Sequence, residues 1–288
     1  MSKGNVTMTE SAKTRRDMVK LMEAYLEALI EKNADSLPIA ANCRATFNGV
    51  DVTVGDNELW HNTLVIRQRQ TFIDPLSKEM VFFGIMTNEP LEANYNFPTD
   101  IHVYAKTYVA TIRLKTVNGA ITEIEELVDD KRLRNFYGFS KDIRLPDLEF
   151  EIPVPEEERS TREELVELIE TYWDCAAKTQ PPEVMSIHPD AQRYENGYQT
   201  TNHSNSFRGD FKHNKSFRWD TPREKRLFPV VDPVRGLVVS YCMMEGGTNV
   251  VDGATGARVV EAFKIKDGAI CHLMAFFPVL EGPAGWER

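Results

Sequence analysis

The chain has 288 residues, 42% of them hydrophobic and 27% charged, a mix that suits a folded protein long enough for two ordinary cores. Its formal charge of −10, from 34 basic against 44 acidic side chains, opposes phosphate backbones and anionic lipid, which argues against nucleic acid and membranes as partners. No stretch nears the roughly 20 apolar residues that span a bilayer, and the opening MSKGNVTMTESAKTRRDM lacks a signal-peptide core, so a cytoplasmic protein is expected.

In chain order, RDMVKLMEAYLEALIEKN (16–33) spaces Met18, Leu21, Met22, Tyr25, Leu26, Leu29 and Ile30 three and four apart, which predicts an amphipathic helix. A loop and a strand follow, the strand ending at Phe47 before an Asn-Gly hairpin turn. Longer strands are expected around DPLSKEMVFFGIM (74–86) and RLKTVNGAI (113–121). PDLEFEIPVPEEERS (146–160) is rich in Pro and Glu, as a linker would be.

The same series then restarts. STREELVELIETYWDCAAK (160–178) is a second amphipathic helix with Leu165, Leu168, Ile169, Tyr172 and Trp173 on its apolar face, and Ser160 with Glu163 reads as its capping box. AQRYENGYQT, DPVRGLVVSYCMM (232–244) and AFKIKDGAI (262–270) match their first-half counterparts, with Gly49 and Gly197 standing 148 positions apart. An internal duplication accounts for this, giving domains at 1–150 and 156–288. Helices first and strands after is an α+β order, helices covering one face of an antiparallel sheet. The four cysteines, Cys43, Cys175, Cys242 and Cys271, are scattered without a CxxC pair, and neither they nor the histidines are spaced for a metal.

ENGYQTTN (195–202), PVVDPVRG (229–236), EAFKIKDGAI (261–270) and GPAGW (282–286), with the element order, resemble a tandem group of the nuclear transport factor 2/SnoaL-like superfamily. The resemblance implies two tandem cone-shaped barrels, each with helices packed on a curved antiparallel sheet, and a homo-oligomer formed through apolar sheet faces. It also implies cofactor-independent chemistry. Members with an assigned activity include diarylpropane lyases, which release formaldehyde from lignin-derived aromatic dimers with loss of a benzylic hydroxyl to give a stilbene. Others are isomerases, dehydratases and cyclases acting beside a carbonyl, and the fold also hosts non-catalytic small-molecule binders.

Comparing the copies picks out residues. Where the first has Phe47 and Ile112, the second has Glu195 and Glu261, so the first reads as scaffold and the second as the working copy. By the resemblance, Glu195 is a base, while Glu261 and Tyr172 polarise a substrate oxygen; a carboxyl in an apolar cone would titrate near neutrality. The alternative is that both glutamates form structural ion pairs with Arg193, Arg226 or a backbone donor. His203 follows the TTN motif at the expected mouth. His272, sharing a strand face with Met274 and Phe276, either lines the pocket or packs on the opposite side. His213 is a weaker candidate. Phe207, Arg218 and Trp219, in the insertion 203–227, suggest a lid over an aromatic small-molecule substrate. Arg193, Asn196, Thr200, Arg226, Tyr241 and Phe263 complete the candidate binding set. His102 and Tyr104, in an aromatic stretch of the first half, could contribute to a mouth or an interface.

Overall fold

The computed structural model describes residues 3–88, 107–129, 145–177, 179–195, 198–202, 220–245, 256–276, 279–280 and 286. The chain divides into two compact units between Asp130 and Lys131.

The first unit opens with α1 (Lys3–Glu31), longer than its apolar periodicity predicts, followed by β1 (Ile39–Phe47), β2 (Val50–Asp51), α2 (Glu58–Asn62), β3 (Val65–Asp74), β4 (Glu79–Thr87), β5 (Thr107–Val117) and β6 (Ala120–Asp129). The expected Asn-Gly hairpin joins β1 to β2: Asn48 and Gly49 both have positive φ, and Phe47 pairs with Val50. The six strands run in the order β2-β1-β6-β5-β4-β3. Met18, Met22, Tyr25, Leu26 and Leu29 of α1 are buried in one cluster with Phe82, Ile112 and Ile124. Removing these apolar side chains from water drives the helix onto the sheet.

The second unit repeats this plan with α3 (Arg162–Ala176), β7 (Ile187–Glu195), β8 (Tyr198–Gln199), β9 (Arg226–Asp232), β10 (Leu237–Glu245), β11 (Gly256–Lys266), β12 (Ala269–Phe276) and β13 (Val279–Leu280). Its strands run β8-β7-β12-β11-β10-β9, with β13 added on β11. The α3 cap lies one residue later than the sequence suggests. Thr161, not Ser160, accepts from the Glu164 amide, and Glu164 accepts from the Thr161 amide in return.

Two expectations change. Neither sheet is wholly antiparallel, because β1 runs parallel to β6 and β7 parallel to β12. The first strand of each unit thus pairs with the sixth, and the intervening strands supply the long connection that parallel pairing needs. The boundary also falls earlier than the Pro/Glu stretch. Phe150 and Val154 are buried in the second unit, and the Val154 amide donates to the Val234 carbonyl at 2.9 Å, so this segment is a strap on that unit. No helix among the described residues is long and apolar enough to cross a membrane.

Candidate functional site

The face of the second sheet that meets α3 is set by strand register. Leu273 stands opposite Arg193 and Ala275 opposite Glu195, while Glu261 stands opposite both Ala275 and Ser240. Side chains alternate along a strand, so Arg193, Glu195, Ser240, Glu261, Phe263, Leu273 and Ala275 share this face. Tyr172 and Trp173 come down on it from α3, with the Tyr172 and Phe263 rings edge to face at 4.9 Å and the Trp173 indole donating to Ser240 Oγ at 3.1 Å.

Arg193 is the hub. Its Nε donates to Glu195 Oε1 at 2.8 Å, Nη1 to the Tyr172 hydroxyl at 2.5 Å and Nη2 to Glu261 Oε1 at 3.2 Å. The Tyr172 hydroxyl donates to Glu261 Oε1 at 3.4 Å, and Thr200 Oγ1 donates to Glu195 Oε1 at 3.3 Å. All five side chains are buried. Burial disfavours the charged carboxylate and pushes the Glu261 pKa up to about 7; Arg193 and the Tyr172 hydrogen bond oppose that rise, and the Glu195 charge adds to it. Burial also carries the Tyr172 hydroxyl well above its ordinary value. It would depress Arg193, but Tyr172, Glu195 and Glu261 outweigh it and hold the guanidinium cationic. Glu261 Oε2 is buried and has no hydrogen-bond partner among the described residues. It is the one oxygen of the cluster left over for another molecule's donor or acceptor, according to its protonation.

The structure thus brings together Tyr172, Arg193, Glu195, Thr200, Glu261 and Phe263. It separates three other candidates from them. His272 stands opposite Lys264 on the reverse face, with Nε2 2.7 Å from Asp147 Oδ2 and its ring beside Phe150 and Tyr194. Tyr241 also points to the reverse face, where the Arg258 guanidinium lies 5.4 Å from its ring centre. Arg226 bonds Glu170 Oε2 at 2.6 Å, Asp174 Oδ1 at 2.9 Å and the Thr221 carbonyl at 2.6 Å, which binds the start of β9 to α3 rather than reaching Glu195 or Glu261. Asn196, His203, Phe207, Arg218 and Trp219, together with His102, Tyr104 and His213, lie outside the described residues. Among the described residues no group of three His, Cys, Asp or Glu side chains is placed to hold a metal ion.

The first unit is not the plain apolar scaffold its Phe47 and Ile112 suggest. Glu126 of β6, directly opposite Ile112, is buried beneath α1. Its Oε1 accepts from the Tyr25 hydroxyl at 2.9 Å and the Trp60 indole at 2.8 Å, and its Oε2 from Asn57 Nδ2 at 2.6 Å. Asn57 Oδ1 meanwhile caps α2 by accepting from the Leu59 and Trp60 amides. Tyr25 corresponds to Tyr172, and Glu126 to Ala275. Each unit therefore holds one buried tyrosine–glutamate pair, but the glutamate has moved across one strand pair, from β6 in the first unit to β11 in the second. The pairs also differ in satisfaction. Both Glu126 oxygens are occupied by neutral donors, whereas Glu261 shares its site with a cation and a second carboxylate and keeps one oxygen open. Burial raises the Glu126 pKa and its three donors partly offset that.

No curated protein matches the chain. A family profile does, once in each unit, over residues 11–128 and 158–277, and its description is "Domain of unknown function (DUF8021)". The two matches cover most of the sequence and reproduce the repeat seen in the fold, and on that ground the chain belongs to the DUF8021 family.

Proposed function

We propose that the second unit is a cofactor-independent acid–base site in a nuclear transport factor 2/SnoaL-like cone. Its reaction is carbon–carbon lysis of a hydroxylated aromatic small molecule of the diarylpropane type. The observation that carries this reading is Glu261: a buried carboxyl with a pKa near 7, one oxygen unpartnered, set among Tyr172, Phe263 and Arg193. A group poised near neutrality both gives and takes a proton, which suits general acid catalysis. The motifs from ENGYQTTN onward, and helices lying over a mixed sheet in both units, support the cone and its chemistry by resemblance.

The step balances without an oxidant or reductant. The Glu195 carboxylate takes the proton of the substrate's terminal hydroxyl, and that oxygen's electron pair forms the carbonyl of formaldehyde. The bond to the neighbouring carbon breaks, and its pair forms a carbon–carbon double bond toward the benzylic carbon. The benzylic hydroxyl leaves as water with the proton of neutral Glu261. Glu195 ends protonated and Glu261 ionised, and Arg193, bonded to both, stabilises either charge distribution while the proton returns.

One observation favours a second reading, a sealed structural network. Arg193 bonds Tyr172, Glu195 and Glu261 at once, much as neutral donors surround Glu126 in the first unit. Incubating the protein with a panel of aromatic 1,3-diols and assaying formaldehyde separates the two. The lyase reading expects release that falls about 10²- to 10⁴-fold in Glu261→Gln and in Glu195→Gln. Absence of release from every diol, or equal turnover in the variants, leaves the structural network standing.

A further inference from the structure

We infer that the first unit carries an open docking groove for an extended, acidic peptide segment of a partner protein, at the place where the second unit docks its own strap.

The two units can be overlaid residue by residue at this corner. TRRDM (14–18) corresponds to TREEL (161–165), DPLSK (74–78) to DPVRG (232–236), and Lys115 to Lys264. The corner is built alike in both: the Thr116 amide donates to the Lys78 carbonyl at 3.0 Å, and its counterpart Ile265 donates to the Gly236 carbonyl at 2.7 Å. Lys78 and Gly236 both have positive φ.

In the second unit the chain before α3 fills the corner: Thr161 caps the helix, and ahead of it two 3-10 turns, Leu148–Glu151 and Glu156–Glu158, bracket a short stretch, residues 152–155, that lies along the turn. The Val154 amide bonds the Val234 carbonyl, Arg159 Nε bonds the Val154 carbonyl at 2.9 Å, and Lys264 Nζ donates to the carbonyls of Ile152 and Arg235. A Cβ on Gly236 would lie 2.9 Å from Val154 Cγ2 and 2.0 Å from the Ile265 carbonyl, so the glycine admits the strap.

In the first unit no described residue fills the same corner. Thr14 does not cap α1; the helix continues past it to Lys3, so the residues just before Thr14 are helical and do not lie along the turn as the strap does. What remains is a groove of about 780 Å3 between α1, the 77–78 turn and the 115–119 hairpin end. Met18 and Leu21 supply apolar wall, and beside the turn Leu76 is 75% exposed. Lys20, Lys78 and Lys115 line it against one acidic side chain, Asp17.

That charge selects the occupant. The strap docked in the second unit reads EFEIPVPEE (149–157), aliphatic residues and prolines flanked by glutamates. A segment of this composition would place an aliphatic side chain on Met18 and Leu21 and its carboxylates near the three lysines. Lys115 stands where Lys264 captures one strap carbonyl, that of Ile152, together with the Arg235 carbonyl of the turn, and in the groove it pairs with Glu123 at 3.2 Å and Glu79 at 3.8 Å. Because Lys78 has a side chain where Gly236 has none, the guest lies further from the turn and relies more on charge. Recognition of an extended segment through backbone and alternate side chains is a common peptide-binding mode.

The test uses the full chain and a fluorescently labelled synthetic peptide of residues 149–157, followed by polarisation at low salt. We expect saturable binding that weakens by at least about tenfold when Lys20 and Lys78 are both changed to glutamate, and with rising salt. Ser77→Trp, which fills the groove without altering charge, should abolish it, and a peptide with lysines in place of the glutamates should not bind. No saturation up to about 1 mM peptide would overturn the proposal. So would binding indifferent to the first-unit substitutions, which would mean the peptide displaces the strap of the second unit. Light scattering provides the last arm: a protein that self-associates and becomes monomeric on Ser77→Trp assigns the groove to a second copy of the chain and not to a partner.

Discussion

Replacing Glu261 by Gln removes a group whose ionisation is opposed by its surroundings, and the consequence for stability can be worked out. The pKa rises from 4.5, the ordinary value, to about 7 in the folded protein. The folded state therefore holds the proton more tightly than the unfolded one, and stability falls as pH rises from below 4.5 to above 7. At 1.36 kcal/mol per pH unit the full loss is about 3 kcal/mol, of which about 2.5 kcal/mol falls between pH 5 and pH 8. Glutamine cannot ionise and escapes this loss. Urea unfolding of the wild type and Glu261→Gln across that range should show the variant gaining on the wild type by about 2.5 kcal/mol as pH increases. A difference between the two proteins that is flat with pH would refute a near-neutral pKa for Glu261, and with it the acid role.

Arg193→Met should cost about 3–5 kcal/mol, since it strands two buried carboxylates, and Arg226→Met should cost less because Asp174 keeps Arg223; unfolding curves measure both. Thr161→Ala should lose about 1 kcal/mol with the capping box, while Thr14→Ala, within α1, should be neutral or slightly stabilising by the same assay. Glu126→Gln turns an amide toward the Asn57 amide, leaves a buried donor unmet, and should cost about 1–3 kcal/mol, read from thermal unfolding of the first unit.

Much of the fold was legible because the repeat made each reading twice. The helix periodicities, the Asn-Gly turn after Phe47 and the order of helix then strands all appear in the structure, and Tyr172, Glu195, Glu261, Thr200 and Phe263 converge as their positions suggest. What the sequence did not convey is mostly relational. Alternation along β12 groups His272 with Met274 and Phe276 but does not say which face that group joins; the register beside β11 decides it, and a bulge between Lys264 and Ile265 shifts that register. Parallel closure of β1 on β6 leaves no local mark either. Glu126 had a usable signal. In TEIEELVDD it keeps step with the inward Ile124 and Val128, and aligned to the second half it faces Ala275. Glu126 is a carboxylate that the first copy holds on the neighbouring strand, so position-by-position differences at Phe47 and Ile112 do not reveal it. The sequence offers Arg193 as one of several ion-pair partners for the two glutamates; the fold shows it bonding both of them and Tyr172 together.

A division of labour between the two buried glutamates is tested most directly by a paired measurement of Glu261→Gln and Glu126→Gln. Formaldehyde release from the responsive aromatic diol is to be assayed beside folded fraction at the same pH. Glu261→Gln should lose turnover while staying folded, and Glu126→Gln should lose stability while its folded fraction turns over normally. Undiminished turnover in Glu261→Gln, or loss of turnover in well-folded Glu126→Gln, would contradict that division.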